Sequence, residues 1–401
     1  METITIVGLG YVGLPLALAL SSKGFKVYGY DISESRITAI NNGNYGNVDT
    51  SFTGQKITAT TDPKECIPVS DFVIVCVPTP LNDKKEPNMS FVIDAIGKVS
   101  ENLKDGATVI LESTTYPGTT EELIKPMLDK SNKKFYLGYS PERISPGEKD
   151  HPLEKITKII SGINDESLRK VEYLYSHIIE KLIRVKSPKT AEAAKLLENV
   201  FRAVNISLVN ELAIIFEKIG INIYEVIDAA KTKPMGFMPF YPGPGVGGDC
   251  IPVSPMYLAW KAKQVGMESS FISLVNETNA KIADHVISKI KNNMKDGSKI
   301  LVLGVSYKKG VGDIRNTPAE QIIKKIDSKV DFYDPYIDTF LGIKRVDNPI
   351  IGNYDCIVIL TDHDEFKNIN FSDFKGVVID TRNFFKERYP VNYIGLGKGT
   401  I

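Results

Sequence analysis

The sequence predicts an α/β chain in which two doubly wound parallel-sheet domains are joined by a long central helix. Three observations predict it. A strand, a glycine turn, a helix, a second strand and an acid follow one another over residues 3–31. The same plan returns over residues 299–334. Between them, residues 188–220 hold no internal glycine and no proline after the first residue.

The first copy opens with Thr3–Val7, a buried strand by composition, and then Gly8-Leu9-Gly10-Tyr11-Val12-Gly13. Leu14–Leu20 is apolar and helix-compatible, Gly24 ends that helix, and the strand Lys26–Tyr30 is closed by Asp31. This is the βαβ unit of a Rossmann-like, dinucleotide-binding domain. Further strands are expected at Phe72–Val77, Thr108–Glu112 and Phe135–Tyr139. Strands apolar on both sides and separated by helices form a parallel sheet covered on both faces. In the second copy, Lys299–Gly304 is a strand, a helix follows Thr317-Pro318, and Val330–Tyr333 is a strand closed by Asp334. Cys356–Leu360 and Val377–Asp380 supply two more strands. In each half an aspartate opens an apolar strand, Asp71 in one and Asp355 in the other. The echo lies in the architecture, not in a tight sequence repeat.

In the central stretch Ala194, Leu197, Phe201, Val204, Leu208 and Leu212 follow helical spacing. About 30 residues at 1.5 Å rise make a rod of roughly 45 Å. Its spare apolar face is a candidate surface for a second copy. Further helices are expected over 223–230, 255–264 and 273–294. The expected domains are 1–187, 188–296 and 297–401.

Composition narrows the function classes. The 401 residues are 42% hydrophobic and 24% charged, the balance of a folded globular chain. Lys and Arg number 49, as do Asp and Glu, so no net basic charge recommends a nucleic acid as partner. No uninterrupted apolar run approaches the roughly 18 residues of a membrane crossing, and the chain enters a strand pattern without a charged leader. Four cysteines make no disulfide framework, and no Cys or His pair has zinc-ligand spacing. The expectation is a cytoplasmic protein with reduced thiols and no metal.

The glycine turn carries the first chemistry. Gly8 permits the tight turn, Gly10 lets backbone approach a pyrophosphate, and Gly13 lets the helix sit close to the strand. The helix N-terminus then faces the anion. Asp31 is placed to accept from an adenosine ribose and repels a 2′-phosphate, which favours NAD over NADP; its plain alternative is a surface turn acid. Val77-Pro78-Thr79-Pro80 and Glu112–Gly118 follow strands and so lie at the carboxyl edge, where open α/β sheets bind ligands. Ordinary turn chemistry is the rival for both.

Among the cysteines, Cys76 and Cys356 lie in apolar strands and read as inert, and Cys66 has no partner pattern. Cys250 differs. It follows the glycine-rich Pro242–Asp249, whose exposed backbone permits close approach of a ligand. A thiol there is a candidate nucleophile; the alternative is a small residue in a tight loop. Lys195 and Asn199 share a helix face, although a lysine on a helix is most often only a surface charge. Glu142 follows a strand edge and is either a site acid or a loop carboxylate paired with Arg143.

Gly8–Gly13, Val77–Pro80, Ser113–Gly118, Ser140–Gly147, Ala194–Asn199, Phe240–Pro252 and Lys308–Pro318 occur in one order along nearly the whole chain. Together they resemble the UDP-glucose/GDP-mannose dehydrogenase family of nucleotide-sugar 6-dehydrogenases. The resemblance implies an N-terminal NAD domain, a central dimerising helix and a C-terminal UDP-sugar domain. It implies oxidation of a sugar C6 alcohol to a carboxylate with two NAD, through a thiohemiacetal and a thioester on Cys250. Lys195 then stabilises the developing alkoxide, Asn199 is its polar partner, Glu142 is the acid/base or water-activating carboxylate, and Thr115 lies near the reacting centre. Implied cofactor contacts are Gly8, Gly10, Tyr11, Val12, Gly13, Asp31, Arg36, Thr79, Thr115 and Arg315. Implied substrate contacts are Glu142, Arg143, Lys195, Asn199, Phe240, Tyr241, Gly245, Lys308 and Arg382.

The Ser140–Gly147 loop and the Thr232–Pro242 stretch are similar to the UDP-N-acetylhexosamine branch, UDP-N-acetylglucosamine ahead of the manno epimer. UDP-glucose remains an alternative, as does a catalytically weak NAD or UDP-sugar binder. Two positions depart from the pattern. Asp249 stands where the branch has His, and Ser254 stands where the family has Asp. Asp249 is a candidate to restore the missing charge.

Overall fold

The computed structural model describes residues 2–46, 56–143, 152–295, 297–326, 328–349, 351–386 and 389–399. Ile144–Gly147 of the loop singled out above lie outside them. The chain divides into two compact units. One is Met1–Glu198 with Met256–Met267, and the other is Asn199–Pro255 with Glu268–Ile401.

In the first unit the elements are β1 (Thr3–Val7), α1 (Gly13–Ser22), β2 (Lys26–Tyr30), α2 (Glu34–Asn41), β3 (Thr58–Thr60), β4 (Phe72–Val75), α3 (Ser90–Asn102), β5 (Ala107–Leu111), α4 (Lys125–Asp129), β6 (Phe135–Tyr139), β7 (Lys158–Gly162), α5 (Asp165–Ser176) and β8 (Leu182–Arg184). The sheet order is β3-β2-β1-β4-β5-β6-β7-β8. The strands run parallel through β6, β7 is antiparallel to β6, and β8 is parallel to β7. Period-2 alternation gives the sheet two apolar faces. Ile4, Ile6, Phe72, Ile74 and Ile110 meet α1 and α5. Val7, Val73, Val75, Val109 and Leu111 meet α3 and α4.

The 31-residue α6 (Pro188–Lys218) has the length the proline-free stretch predicts. The stripe read from its spacing faces outward at Leu197, Phe201 and Leu208, while Ala191, Leu196, Val200, Ala203, Val209 and Ala213 are buried. By length and composition, with a mean hydropathy of 1.3 in its best window, α6 is apolar enough to cross a membrane. The stretch still holds no long uninterrupted apolar run, because scattered charges break it without lowering its average much. Next come α7 (Ile223–Ala230), α8 (Cys250–Gln264) and α9 (Ser270–Asn293). The α8 boundary corrects the sequence expectation, which began this helix at Pro255. A proline is tolerated in a first turn, where its missing N–H has no intrahelical partner. Pro252 occupies that turn, and Pro255 lies inside the helix. Cys250 is therefore the first residue of a helix.

The second sheet joins β9 (Lys299–Leu303), β10 (Lys329–Tyr333), β13 (Cys356–Ile359), β14 (Val377–Asp380) and β15 (Tyr393–Gly395), with α10 (Pro318–Lys324) after β9 and a small hairpin, β11 (Thr339–Phe340) and β12 (Ile343–Lys344), after β10. Its order is β10-β9-β13-β14-β15, all parallel. One face meets α9 and α10 through Ile282, Val286, Ile290 and Ile322. The other is covered by Tyr354, Phe366, Phe371 and Phe374 from turns and loops.

The echo between the halves is atomic. Gly8 and Gly304 both turn at positive φ, 92° and 82°. The Gly8 N–H donates to the Tyr30 carbonyl at 2.8 Å, and the Gly304 N–H to the Tyr333 carbonyl at 2.9 Å. The next N–H donates to the strand-ending acid, Leu9 to Asp31 at 2.8 Å and Val305 to Asp334 at 2.9 Å. At the other edge the Thr3 N–H donates to Asp71 at 2.9 Å and the Lys299 N–H to Asp355 at 2.8 Å.

The two acids then diverge. Asp334 Oδ2 also accepts from the Ser306 N–H, the Ser306 hydroxyl and His363 Nε2, at 3.0, 2.8 and 3.2 Å. The Gly310 N–H donates to His363 Nδ1, which leaves Nε2 as the protonated nitrogen. Asp334 is thus saturated within the protein. The imidazole and backbone donors outweigh burial and hold its carboxyl down at about 2. A carboxyl depressed in the folded state stabilises above the ordinary carboxylate range and loses that contribution as pH falls through its folded value. Asp334→Asn is expected to cost about 2–3 kcal/mol near neutral pH. Urea unfolding at a series of pH values should show the deficit shrinking below about pH 4; a deficit constant down to pH ~3 contradicts the assignment.

Candidate active site

In the first unit a cradle forms where β1 feeds α1. A Cβ on Gly8 would stand 2.7 Å from the Cys76 carbonyl, and one on Gly13 only 1.9 Å from the Gly8 carbonyl. Both positions therefore require glycine, whereas Gly10 faces open space. The first turn of α1 has no side-chain cap and no acid. The Leu14 and Leu16 N–H groups bond to the Gly10 and Val12 carbonyls at 3.1 and 3.3 Å, and the positive dipole end of the helix is left for an anion. Tyr11 is exposed beside them and Val12 half-buried. Asp31 Oδ2 accepts from the Leu9 N–H and from Arg36 Nη1 at 3.3 Å, and Oδ1 accepts from the Ser33 N–H at 2.9 Å. A carboxylate has about four acceptor positions, so Asp31 keeps capacity for a ribose hydroxyl. Thr79 follows β4, and its carbonyl accepts from the Tyr257 hydroxyl at 3.0 Å. An uncapped helix start, an open Gly10 and a ribose acceptor fit NAD.

At the carboxyl edge of the same sheet stand Thr115 and Glu142. Thr115 is fully buried, and its hydroxyl has no hydrogen-bond partner among the described residues. Glu142 is half-buried, and its backbone carbonyl accepts from Lys195 Nζ. Lys195 is itself buried, 7% exposed, so it is not the surface charge of the bland reading. Arg143 pairs with Glu198 at 2.8 Å and donates to the Thr157 carbonyl at 2.5 Å; the alternative Glu142–Arg143 pairing is replaced by these partners. One turn before Lys195 on α6, the buried Glu192 accepts from the Gly118 N–H, the Thr120 N–H and the Thr120 hydroxyl at 2.6, 2.8 and 2.6 Å. Cys76 lies just beyond β4 rather than inside it, and burial pushes its thiol well up.

In the second unit Cys250 is exposed, whereas Cys66 and Cys356 are buried and Cys76 half-buried. Glycines before Cys250 also serve the protein's own packing. Gly243, Gly247 and Gly248 are buried. A Cβ on Gly247 would lie 2.5 Å from Tyr307 Cβ, and one on Gly243 2.5 Å from Arg382 Nη1. Gly245, at φ 139°, is half-buried. Phe240 meets Phe201 edge-on at 5.9 Å, and the exposed Tyr241 stacks on Tyr224 at 6.4 Å.

Asn199 is fully buried. Its Nδ2 donates to the Ser254 hydroxyl at 2.9 Å, and its Oδ1 accepts from Arg202 at 2.5 Å. Asp249 is engaged elsewhere, by Arg315 Nη1 and, at 3.4 Å, by Asn316. Asp313 holds Arg315 from the other side through Nε at 3.0 Å to each oxygen. Arg382 Nε donates to the Leu360 carbonyl at 2.9 Å, and burial pushes its guanidinium below the ordinary range. Lys308 is half-buried in the turn after β9.

Sequence reasoning passed over Lys158, Glu192 and Arg202, and took Glu112 only as the first residue of the carboxyl-edge segment Glu112–Gly118. Glu192 carried the only readable signal, three residues before Lys195 on the same helix face.

Comparison with known proteins gives the family. The chain matches the UDP-glucose/GDP-mannose dehydrogenase family in its NAD binding domain over residues 2–179, its central domain over 189–281 and its UDP binding domain over 301–387. It is 38% identical to a UDP-N-acetyl-D-glucosamine 6-dehydrogenase of Salmonella typhi, covering 96% of each chain. It is 34% identical to a UDP-N-acetyl-D-mannosamine dehydrogenase of Methanocaldococcus jannaschii, covering 99% of this chain and 97% of that one. A solved UDP-D-ManNAc dehydrogenase of Pyrococcus horikoshii superposes with a TM-score of 0.89 at 32% identity over the whole of both chains. The chain belongs to the UDP-glucose/GDP-mannose dehydrogenase family and is an NAD-dependent nucleotide-sugar 6-dehydrogenase.

Proposed function

We propose that the chain oxidises C6 of a UDP-N-acetylhexosamine from alcohol to carboxylate, with UDP-N-acetylglucosamine as the preferred sugar. The observation that carries this reading is Cys250, an exposed thiol on the first residue of α8. NAD, bound once for each of two oxidations, supplies the hydride acceptor. The Cys250 thiolate adds to the C6 aldehyde, and the resulting thiohemiacetal is the species that undergoes the second oxidation, to a thioester. Water then breaks the C–S bond, releasing the carboxylate and restoring the thiol. The Lys195 ammonium stabilises negative charge on the C6 oxygen. Asn199 hydrogen-bonds that oxygen, and Thr115 offers its unengaged hydroxyl nearby. With Ser254 neutral and Asp249 held by Arg315, activation of the water falls to Glu142. Lys308 and Arg382 carry the diphosphate and uridine part, with Phe240, Tyr241 and Gly245 beside it.

The sugar choice rests on the Salmonella typhi relative and on the Thr232–Pro242 stretch; the manno epimer is the second reading, favoured by the Pyrococcus horikoshii structure. Leu197, Phe201, Leu208 and Ile215 are exposed along α6, and Ile219 just past its end, which supports a homodimer through that helix. A free reactive thiol suits a reducing compartment, and the proposed location is the cytoplasm.

Two NADH should form per UDP-N-acetylglucosamine consumed, with the acid identified by mass over a panel of UDP-sugars. Cys250→Ser should release no acid. One NADH with a stable aldehyde contradicts the scheme, and binding of both ligands without turnover favours a non-catalytic binder. Lys195→Ala is expected to lower kcat by about 10²–10³ while leaving the KM for NAD nearly unchanged; a large rise in that KM with unaltered kcat assigns Lys195 to cofactor binding instead. Leu208→Glu should shift sedimentation from dimer to monomer, and an unchanged dimer removes the α6 interface.

A further inference from the structure

Under the Ser140–Arg143 segment of the first unit lies a buried polar cluster that the proposed chemistry leaves without a role. Glu112 directly follows β5, Lys158 opens β7, and Tyr175 lies on α5. The side chains of Lys158 and Glu112 are 6% and 0% exposed, and Tyr175 is fully buried. Glu112 Oε1 accepts from the Tyr175 hydroxyl and stands 3.1 Å from Lys158 Nζ. Glu112 Oε2 has no hydrogen-bond partner among the described residues. The Lys158 ammonium lies 4.7 Å from the centre of the Tyr175 ring and donates to the Pro141 carbonyl at 3.4 Å.

Stability alone is a weak reason for such a pair. Taking two charges out of water costs about what their attraction returns, and apolar replacements of similar volume are often neutral or stabilising. An orphaned carboxylate oxygen adds to the cost. What the pair does accomplish is geometric. It brings one ammonium, from β7, onto the carbonyl of Pro141. A second ammonium, Lys195 of α6, takes the next carbonyl, that of Glu142. The following residue is tied as well, Arg143 to Thr157 and Glu198. Three consecutive residues are thereby fixed to the elements around them, with Glu142 in the middle. Burial, and then the charge of Glu142, push the Glu112 carboxyl up against the opposing pull of Lys158.

We propose that Glu112 and Lys158 are positioning residues that lock the Pro141–Glu142 backbone and so aim the Glu142 carboxylate at the thioester step. The inference rests on the reading of Glu142 as the water-activating base. Glu112 keeps the Lys158 ammonium buried, Lys158 holds the carbonyl, and the carbonyl holds the base. Neither residue touches cofactor or sugar in this scheme, so losing them slows acid release and spares the earlier oxidations.

The test is rapid mixing of the full-length enzyme with NAD and UDP-N-acetylglucosamine, following NADH. Lys158→Met leaves Glu112 buried and unpaired, so the neutral double variant Glu112→Gln/Lys158→Met is measured with it, alongside melting temperatures. In the folded double variant a fast burst of NADH should precede a steady state at least about tenfold slower than wild type, the KM for NAD staying within about twofold. Adding Glu142→Gln to that variant should slow it little further, since the base is already misaimed. A wild-type steady state in the folded double variant overturns the proposal, as does a rate that recovers in step with melting temperature. Glu142→Gln alone separates the two levels. If it turns over at the wild-type rate, the reading of Glu142 falls and this inference with it. If it is slow while the double variant is fast, only the positioning role falls.

Discussion

The contact on which the proposed chemistry depends is the ammonium of Lys195 resting on the backbone carbonyl of Glu142. It ties the long helix α6 to the loop after β6, so two candidate groups for one reaction share one rigid reference. A lysine 7% exposed gives up hydration, and a carbonyl partner recovers part of that loss. The same helix face carries Glu192 into the donors of Gly118 and Thr120. That loop begins with Thr115, so α6 sets the height of the threonine segment as well as of the lysine.

Much of this architecture was legible because it follows from short-range rules. A strand, a glycine at positive φ, a helix start and a terminal acid form one local circuit, and each half closes it with the same hydrogen bonds. The aspartates that open β4 and β13 were readable for the same reason, since each takes the N–H at the start of the central strand. Misplaced features had local signals pointing the wrong way. Pro255 looks like a helix start, and only the chain's path shows that the helix begins at Cys250. The glycines at 243, 247 and 248 also let the backbone pack against Arg382 and Tyr307, which no local pattern shows. The strands β3 and β8, three residues each, are too short for periodicity to register.

The candidate site divides along the same line. Residues within a recognisable local pattern, such as Asp31, Lys195 and Cys250, are the candidates that sequence names. Glu112, Lys158 and Tyr175 are not named together, because only the sheet brings a β5 terminus, a β7 start and an α5 face together. The duplicated acid is instructive. Asp31 and Asp334 share a position and a backbone donor, yet His363 and Ser306 saturate the second. Sequence position makes the two acids look alike; the hydrogen bonds show that Asp31 keeps acceptor capacity and Asp334 does not.

The central claim is a covalent carbon–sulfur bond at residue 250 in mid-reaction. Acid-quenched Glu142→Gln enzyme, incubated with NAD and UDP-N-acetylglucosamine and digested for peptide mass mapping, tests it most directly. The account predicts a hydroxylamine-labile UDP-sugar acyl adduct on the Cys250 peptide and on no other cysteine. Accumulated NADH with an unmodified Cys250 peptide would contradict it.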